Sequence, residues 1–345
     1  MIRVLIVDDS LTVRRWVSEM IAEHPDMEVI AEATNGREAI ASTEKLKPDI
    51  IIMDMAMPHA DGVYATRQIM AYHPTPIIIL SGAQNRSANL KVVDALRAGA
   101  LEAVDIPFAD ENVEQWKREF LSLLFVAARM KVVRHISASL PARRPKRALG
   151  SRVKLIVVGA STGGPRTVAN LLGNLCPLTV PLLLALHFPN SLFEEFVSWL
   201  ALVSSMPVVP ARDGASLKSL KGTVSIAVPD RHVIVSGGRI AIVDGAPRNF
   251  CKPSIDTLFE SAAESFGDGV VAVLLSGMGE DGAEGMLKIR QVGGRTIAQD
   301  ESTCAVFGMP KAAIDLGVVD QVLPDREIAN AIMRLCRETE CVVPQ

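Results

Sequence analysis

The stretch Leu155-Ile156-Val157-Val158-Gly159-Ala160-Ser161-Thr162-Gly163-Gly164-Pro165 decides how the second half of this chain is read. An aliphatic run of strand length ends in glycine, and a helical pattern begins after Pro165, so the segment reads strand, sharp turn, helix. Gly-x-Ser-x-Gly at such a turn exposes a serine hydroxyl beside the N–H groups of a helix start, which can stabilise an oxyanion. The residues alone leave three readings open: a nucleophile, a turn that cradles an anion, or a turn kept tight for packing. The dinucleotide-binding fingerprint fails because Ser161 holds its second glycine position, and a P-loop fails for want of Gly-Lys-Ser/Thr.

Outward from this turn, strand-like runs recur at Leu182–Leu186, Thr223–Val228, Val270–Leu275 and Thr296–Gln299, with helical patterns between most of them. That alternation predicts a doubly wound, mainly parallel α/β sheet. His232–Val235 and Ile240–Val243 around Gly237-Gly238 read instead as a β-hairpin, an antiparallel appendage to the sheet. A nucleophilic serine needs a base, and the base needs an orienting carboxylate. Only His187 and His232 follow Val153; His187 ends the run Leu182–Leu186 on the side of the sheet where Ser161 lies, whereas His232 opens the hairpin. The position of His187 suits catalysis, with a buried structural histidine as the alternative. Val270–Leu275 leads into Ser276-Gly277-Met278-Gly279-Glu280-Asp281, which carries Asp281 or Glu280 over the same crevice, while Asp230 and Asp244 read as turn residues. The order Ser, His, Asp differs from that of the α/β-hydrolases, so the same chemistry is expected on another sheet.

In the first half, Val4–Val7, Val29–Ala33, Ile50–Met53, Pro76–Leu80 and Leu101–Val104 each precede a helical pattern, the last of them reaching about Ala128. Five βα units predict a flavodoxin-like (βα)5 domain. Asp8 and Asp9 end the first run and Asp54 the third, where the crevice of an open parallel sheet forms. Clustered carboxylates raise one another's pKa unless a cation joins them, so Mg²⁺ is the natural occupant.

Between Arg129 and Arg152 there are eight basic residues, no acidic one, and two prolines, which reads first as an extended tether, next as a docking segment for an acidic partner, and least as a DNA contact, since no helix-turn-helix pattern accompanies it. The expected domains are therefore 1–124, a basic linker 125–152, and 153–345. The whole chain, 345 residues with 49% hydrophobic and 22% charged, is long enough for two cores. A net charge of −3 gives no global attraction to nucleic acid and only 4% aromatics argue against base stacking, so a nucleic-acid reading would have to rest on the local basic stretch. Five scattered cysteines without a CxxC pair argue against disulfides and zinc, and no apolar run approaches the ~20 residues of a membrane span. A soluble, reduced, cytoplasmic protein is expected, with no membrane insertion.

With Ser81 at the end of the fourth run and MPHADG at Met57–Gly62, the first half resembles the response-regulator receiver domain. The resemblance implies that Asp54 is the phosphoacceptor, that Asp9, Asp54 and the carbonyl of Ala56 ligate Mg²⁺ with Asp8 acting through water, and that Ser81 contacts the phosphoryl group. Two departures stand out. Ile106 occupies the place of the receiver lysine, with no other lysine nearby, and Ala103 that of an aromatic switch residue.

GASTGGP (Gly159–Pro165), HFPNS (His187–Ser191), AVPDRH (Ala227–His232), FCKPSIDTLF (Phe250–Phe259), LLSGMGEDGA (Leu274–Ala283) and QDESTCAVFGMP (Gln299–Pro310) resemble the catalytic domain of the chemotaxis protein-glutamate methylesterases, the CheB family. That resemblance implies Ser161 as nucleophile, His187 as general base, Asp281 as its orienting carboxylate, the Met278 N–H as oxyanion donor, and Thr162 assisting His187, with no cofactor for the esterase. It implies hydrolysis of glutamyl methyl esters, and deamidation of selected glutamines, on methyl-accepting chemoreceptors. The implied setting is the chemoreceptor array, with phosphorylation by the chemotaxis histidine kinase loosening a receiver that covers the crevice. Rival classes are a regulator whose output domain only binds partners, which the complete triad disfavours, and a DNA-binding regulator, for which no recognition helix is found.

Overall fold

The computed structural model describes residues 1–57, 62–82, 86–107, 113–129 and 153–338. The part of the expected basic linker 125–152 from Met130 onward, Pro58–Asp61 of the MPHADG stretch and the tail from Thr339 lie outside the described residues. Contacts divide the chain into two compact units, Met1–Ile136 and Ser137–Gln345.

The first unit runs β1 (Ile2–Val7), α1 (Leu11–Ala22), β2 (Met27–Ala33), α2 (Gly36–Leu46), β3 (Ile50–Met53), α3 (Gly62–Tyr72), β4 (Ile77–Ser81), α4 (Arg86–Ala98), β5 (Glu102–Asp105) and α5 (Val113–Ala127). Its sheet has the order β2-β1-β3-β4-β5 with every pairing parallel. β3 and β4 are buried along their whole length, because helices cover both faces of a parallel sheet, and this is why they read as unbroken aliphatic runs. The chain leaves β1 for β2 on one side and returns to β3 on the other, so the strand order reverses between β1 and β3. Asp8 and Asp9 follow the first of these strands and Asp54 the second, at the switch point of the sheet. α5 continues past the boundary drawn at residue 124.

The second unit runs β6 (Leu155–Ala160), α6 (Gly164–Asn174), β7 (Leu182–Leu186), α7 (Phe193–Val203), β8 (Val208–Pro210), β9 (Val224–Ile226), β10 (His232–Ser236), β11 (Arg239–Val243), α8 (Ile255–Phe266), β12 (Val270–Leu274), α9 (Ala283–Gln291), β13 (Arg295–Gln299), α10 (Met309–Asp315), β14 (Gln321–Leu323) and α11 (Asp325–Glu338). Seven strands in the order β14-β13-β12-β6-β7-β9-β8 pair in parallel throughout. Here the reversal falls between β6 and β12, with β7 on the far side of β6. Three neighbouring strand ends therefore meet over one crevice.

The hairpin β10–β11 does not append to this sheet; it forms a two-stranded sheet of its own. Its alternating pattern turns Val233, Val235 and Ile240 to one face, and that face packs on Leu258, Phe259 and Ala262 of α8. Val235 is tied to the helix at both backbone groups, its N–H donating to Ser261 Oγ (3.0 Å) and its carbonyl accepting from Ser265 Oγ (2.9 Å). Burial against a helix thus replaces pairing with a neighbouring strand.

Candidate active site

Ser161 follows β6 directly and His187 follows β7 directly, and the register Ala160↔Leu186 sets the two ends side by side. The His187 N–H donates to Ala160 O (3.1 Å), and the Ser161 N–H to Ser276 O (3.0 Å) on the loop after β12. A Cβ on Gly277 would come within 2.8 Å of Ser161 Cβ, so only glycine lets this loop close on the serine. Gly163, the N-cap of α6, has φ 74°, and this left-handed step turns the chain from strand to helix within three residues of Ser161. Thr162 is buried beside it, its carbonyl accepting from Ser276 Oγ (2.8 Å). Among the described residues the Met278 N–H has no acceptor, and no hydrogen bond joins Ser161 Oγ to the His187 ring. Catalytic hydrogen bonds of this kind commonly tighten only when substrate is bound.

The His187 ring donates from Nε2 to Asp281 Oδ2 (3.0 Å), which leaves Nδ1 as the nitrogen to receive a proton. Burial disfavours the imidazolium, but the bonds and charges of Asp281 and Cys251 outweigh it and raise His187 to about 9. Asp281 is itself almost fully buried. Burial pushes its carboxyl upward, yet the His187 bond and charge and the amides of Asp256 and Ile255 bring it below the ordinary carboxylate range. Both oxygens are filled: Oδ1 accepts from Ser254 Oγ (3.0 Å) and Asp256 N–H (3.0 Å), Oδ2 from Ile255 N–H (2.7 Å) and His187. Ser254 is the N-cap of α8, so the carboxylate sits on a helix N-terminus, where backbone amides and the helix dipole both favour negative charge.

Of the two carboxylates the sequence offers after β12, Asp281 is the one bonded to the His187 ring, and Glu280 is exposed. Sequence reasoning missed Ser254 and Cys251. A ligand atom each from Cys251, His187 and Asp281 lies within 4.8 Å of the others. The only signal for these two was the stretch FCKPSIDTLF, whose role a motif resemblance does not explain. His232 has the structural role read for it: Nε2 donates to Ala246 O (3.0 Å) and Nδ1 accepts the Ser254 N–H (3.1 Å), which fastens the hairpin to the start of α8.

In the first unit, a carboxylate oxygen each from Asp8, Asp9 and Asp54 lies within 4.8 Å of the others. Burial, with the charges of Asp54 and Asp9, raises Asp8 to about 6 against the Ser10 amide and Arg14. Asp54 is also raised, chiefly by burial and against its bonds with the Ala56 and Met55 amides. Three crowded carboxylates, two of them reluctant to ionise, form a hard oxygen donor set that fits a divalent cation such as Mg²⁺. Ser81 ends β4 and is buried, with Ile106 N–H donating to its carbonyl (2.9 Å). The expectation that no lysine lies nearby is corrected: Lys91 on α4 is close enough for its charge to lower the Asp54 pKa. It escaped notice because it comes from a helix face rather than from a strand end.

A receiver-type acidic crevice and a serine, histidine and aspartate at adjoining ends of a second parallel sheet define a two-unit protein of the signal-regulated hydrolase class. A family model described as CheB methylesterase matches residues 156–332, and one described as response regulator receiver domain matches residues 4–116. A protein-glutamate methylesterase/protein-glutamine glutaminase of Anaeromyxobacter dehalogenans (strain 2CP-C) is 40% identical over 97% of each chain. One from Geobacter metallireducens is 36% identical, covering 98% of this chain and 100% of its own. The crystal structure of the Thermotoga maritima CheB methylesterase catalytic domain covers 53% of this chain and 98% of its own, at 34% identity and a TM-score of 0.51. The chain belongs to the CheB methylesterase family.

Proposed function

We propose that this chain hydrolyses glutamyl methyl esters on chemoreceptors, with the receiver expected over 1–124 carried to the end of α5 at Ala127, the basic stretch up to 152 as the tether and 153–345 as the esterase. Ser161 Oγ attacks the ester carbonyl while its proton passes to His187. The oxyanion is met by the Met278 N–H, with Thr162 at hand beside the serine. Methanol then leaves with the proton from His187, and water, activated by the same imidazole, attacks the acyl-serine to release the glutamate carboxylate and restore Ser161. Asp281 holds the ring and stabilises its charged form. The same attack on a glutamine side chain, with ammonia as the leaving group, accounts for the glutaminase activity in the relatives' names.

In the receiver, Asp9, Asp54 and the Ala56 carbonyl would hold Mg²⁺, with Asp8 acting through water, and the ion would neutralise charge at the phosphoacceptor Asp54. Ser81 would contact the phosphoryl group supplied by a chemotaxis histidine kinase. Among the described residues no helix is long and apolar enough to cross a membrane, so the protein would meet its substrate by docking at receptor arrays.

The observation that carries the reading is the Asp281 carboxylate, saturated by α8 and bonded to His187 beside Ser161. Ser161→Ala should lower methanol release from methylated receptors by about three orders of magnitude or more and abolish labelling by a fluorophosphonate. Methanol release near the wild-type rate would end the serine mechanism.

A further inference from the structure

Asn249 and Phe250 form a two-residue turn closed from both sides, Arg248 N–H donating to Cys251 O (3.1 Å) and Cys251 N–H to Arg248 O (2.8 Å). Both have left-handed backbone, φ 51° and 61°, the geometry of a type I′ turn, whose second position favours glycine because a Cβ is crowded there. Asn249 tolerates the conformation, and its Nδ2 donates to the buried Asp256 Oδ2 (3.1 Å). Phe250 has no such return within the fold, since it is 90% exposed. A turn that served only the fold would carry glycine here, so a strained backbone holding an aromatic ring in solvent calls for an explanation outside the chain.

The location supplies one. Phe250 precedes Cys251, which lies against His187 and Asp281. Together with Gly279, Glu280, Gly308 and Lys311, it lines a cavity of about 500 Å³. Gly308 bonds Gly277 (3.1 Å), the residue that abuts Ser161, so the loop that closes on the serine also carries one wall of this cavity through Gly279 and Glu280. Met278, next to Gly279, is a second exposed apolar side chain, at 37%. Such a volume accommodates several side chains rather than one.

We propose that Phe250 is a specificity residue that contacts the polypeptide substrate: an apolar side chain flanking the reacting glutamyl ester packs on its ring at the mouth of this cavity. The inference rests on the esterase reading of Ser161. Phe250 thereby selects a polypeptide segment over a small ester.

The test uses the full-length chain with Phe250→Gly and Phe250→Leu, membrane vesicles bearing a methylated chemoreceptor, and a small fluorophosphonate that reports on Ser161 alone. Phe250→Gly should raise the receptor KM roughly tenfold, with kcat and the labelling rate changed by less than about twofold. It should also raise Tm by about 2–4 °C, because glycine relieves the turn. Phe250→Leu should recover most of the lost affinity. An unchanged receptor KM, a lowered Tm, or labelling that falls in step with receptor hydrolysis would overturn the proposal, the last by showing that the ring supports the triad. If Ser161→Ala still released methanol, the esterase reading itself would fail, an outcome separate from any behaviour of Phe250.

Discussion

His187 can act as a base only when neutral, and its surroundings favour the charged form. Its pKa is raised above the ordinary 6.5, to about 9, because Asp281 and Cys251 outweigh the effect of burial. The rate of methanol release at low substrate should therefore climb with pH, by roughly tenfold per unit below the pKa, and level off near 9. Asp281→Asn should move that rise to lower pH and cut the plateau severely. Four donors converge on the carboxylate, and an asparagine amide would turn its NH₂ toward two of them. A pH–rate profile of the two proteins decides the matter; a wild-type profile already level at pH 7 would contradict the raised pKa. At this scale the sequence was legible where chemistry sits on strand ends. Ser161, His187 and Asp281 each follow or closely trail a buried aliphatic run, and position along a parallel strand determines the side of the sheet. Cys251 and Ser254 were not legible, because they come from a loop with no periodicity and reach the site through the helix it precedes.

The element that organises the catalytic carboxylate is α8. Ser254 caps it by accepting the Thr257 N–H (3.2 Å), donates to Asp281 Oδ1, and gives its own N–H to His232. Ser254→Ala removes the cap and one charge-assisted bond, at about 2 kcal/mol, so Tm should fall by about 4–8 °C. Activity at a permissive temperature should fall far less than in Asp281→Asn, because the Ile255 and Asp256 amides still hold the carboxylate in place. Thermal melts beside methanol-release rates would check both halves of this expectation. Most strands could be read as elements because the inner ones are buried on both faces. β8 and β14 could not: each is a three-residue edge strand, β8 ends on Pro210, and Pro324 follows β14, so neither is long enough to show a period. The hairpin was read correctly as a hairpin, but as an appendage to the parallel sheet, whereas it forms a sheet of its own and packs on α8. Its pattern shows which residues are buried but not whether a strand or a helix buries them.

The two units carry separate cores, and a phosphoryl group on Asp54 can influence the esterase only through contacts that differ between states of the receiver. Ile106 stands where a receiver would present a lysine. Its side chain packs against the receiver core, and a Cβ on Gly82 would lie 3.2 Å from its Cδ1, so the position offers apolar surface instead of charge. Ala103 is buried in β5 and cannot act as a rotating ring. Lys91 supplies a positive charge near Asp54, but from α4 rather than from the loop after β5. Phosphorylation should therefore activate this esterase less than removal of the receiver does. Methanol-release rates of the full chain with and without a phosphodonor and Mg²⁺, set beside a fragment beginning at Ser151, test the order. Ile106→Lys should enlarge the phosphodonor response while leaving the fragment's rate as the ceiling. A phosphorylated wild-type chain that matches the fragment would mean that Ser81 and the metal suffice for coupling, and that the charge lost at Ile106 is of no consequence to the switch.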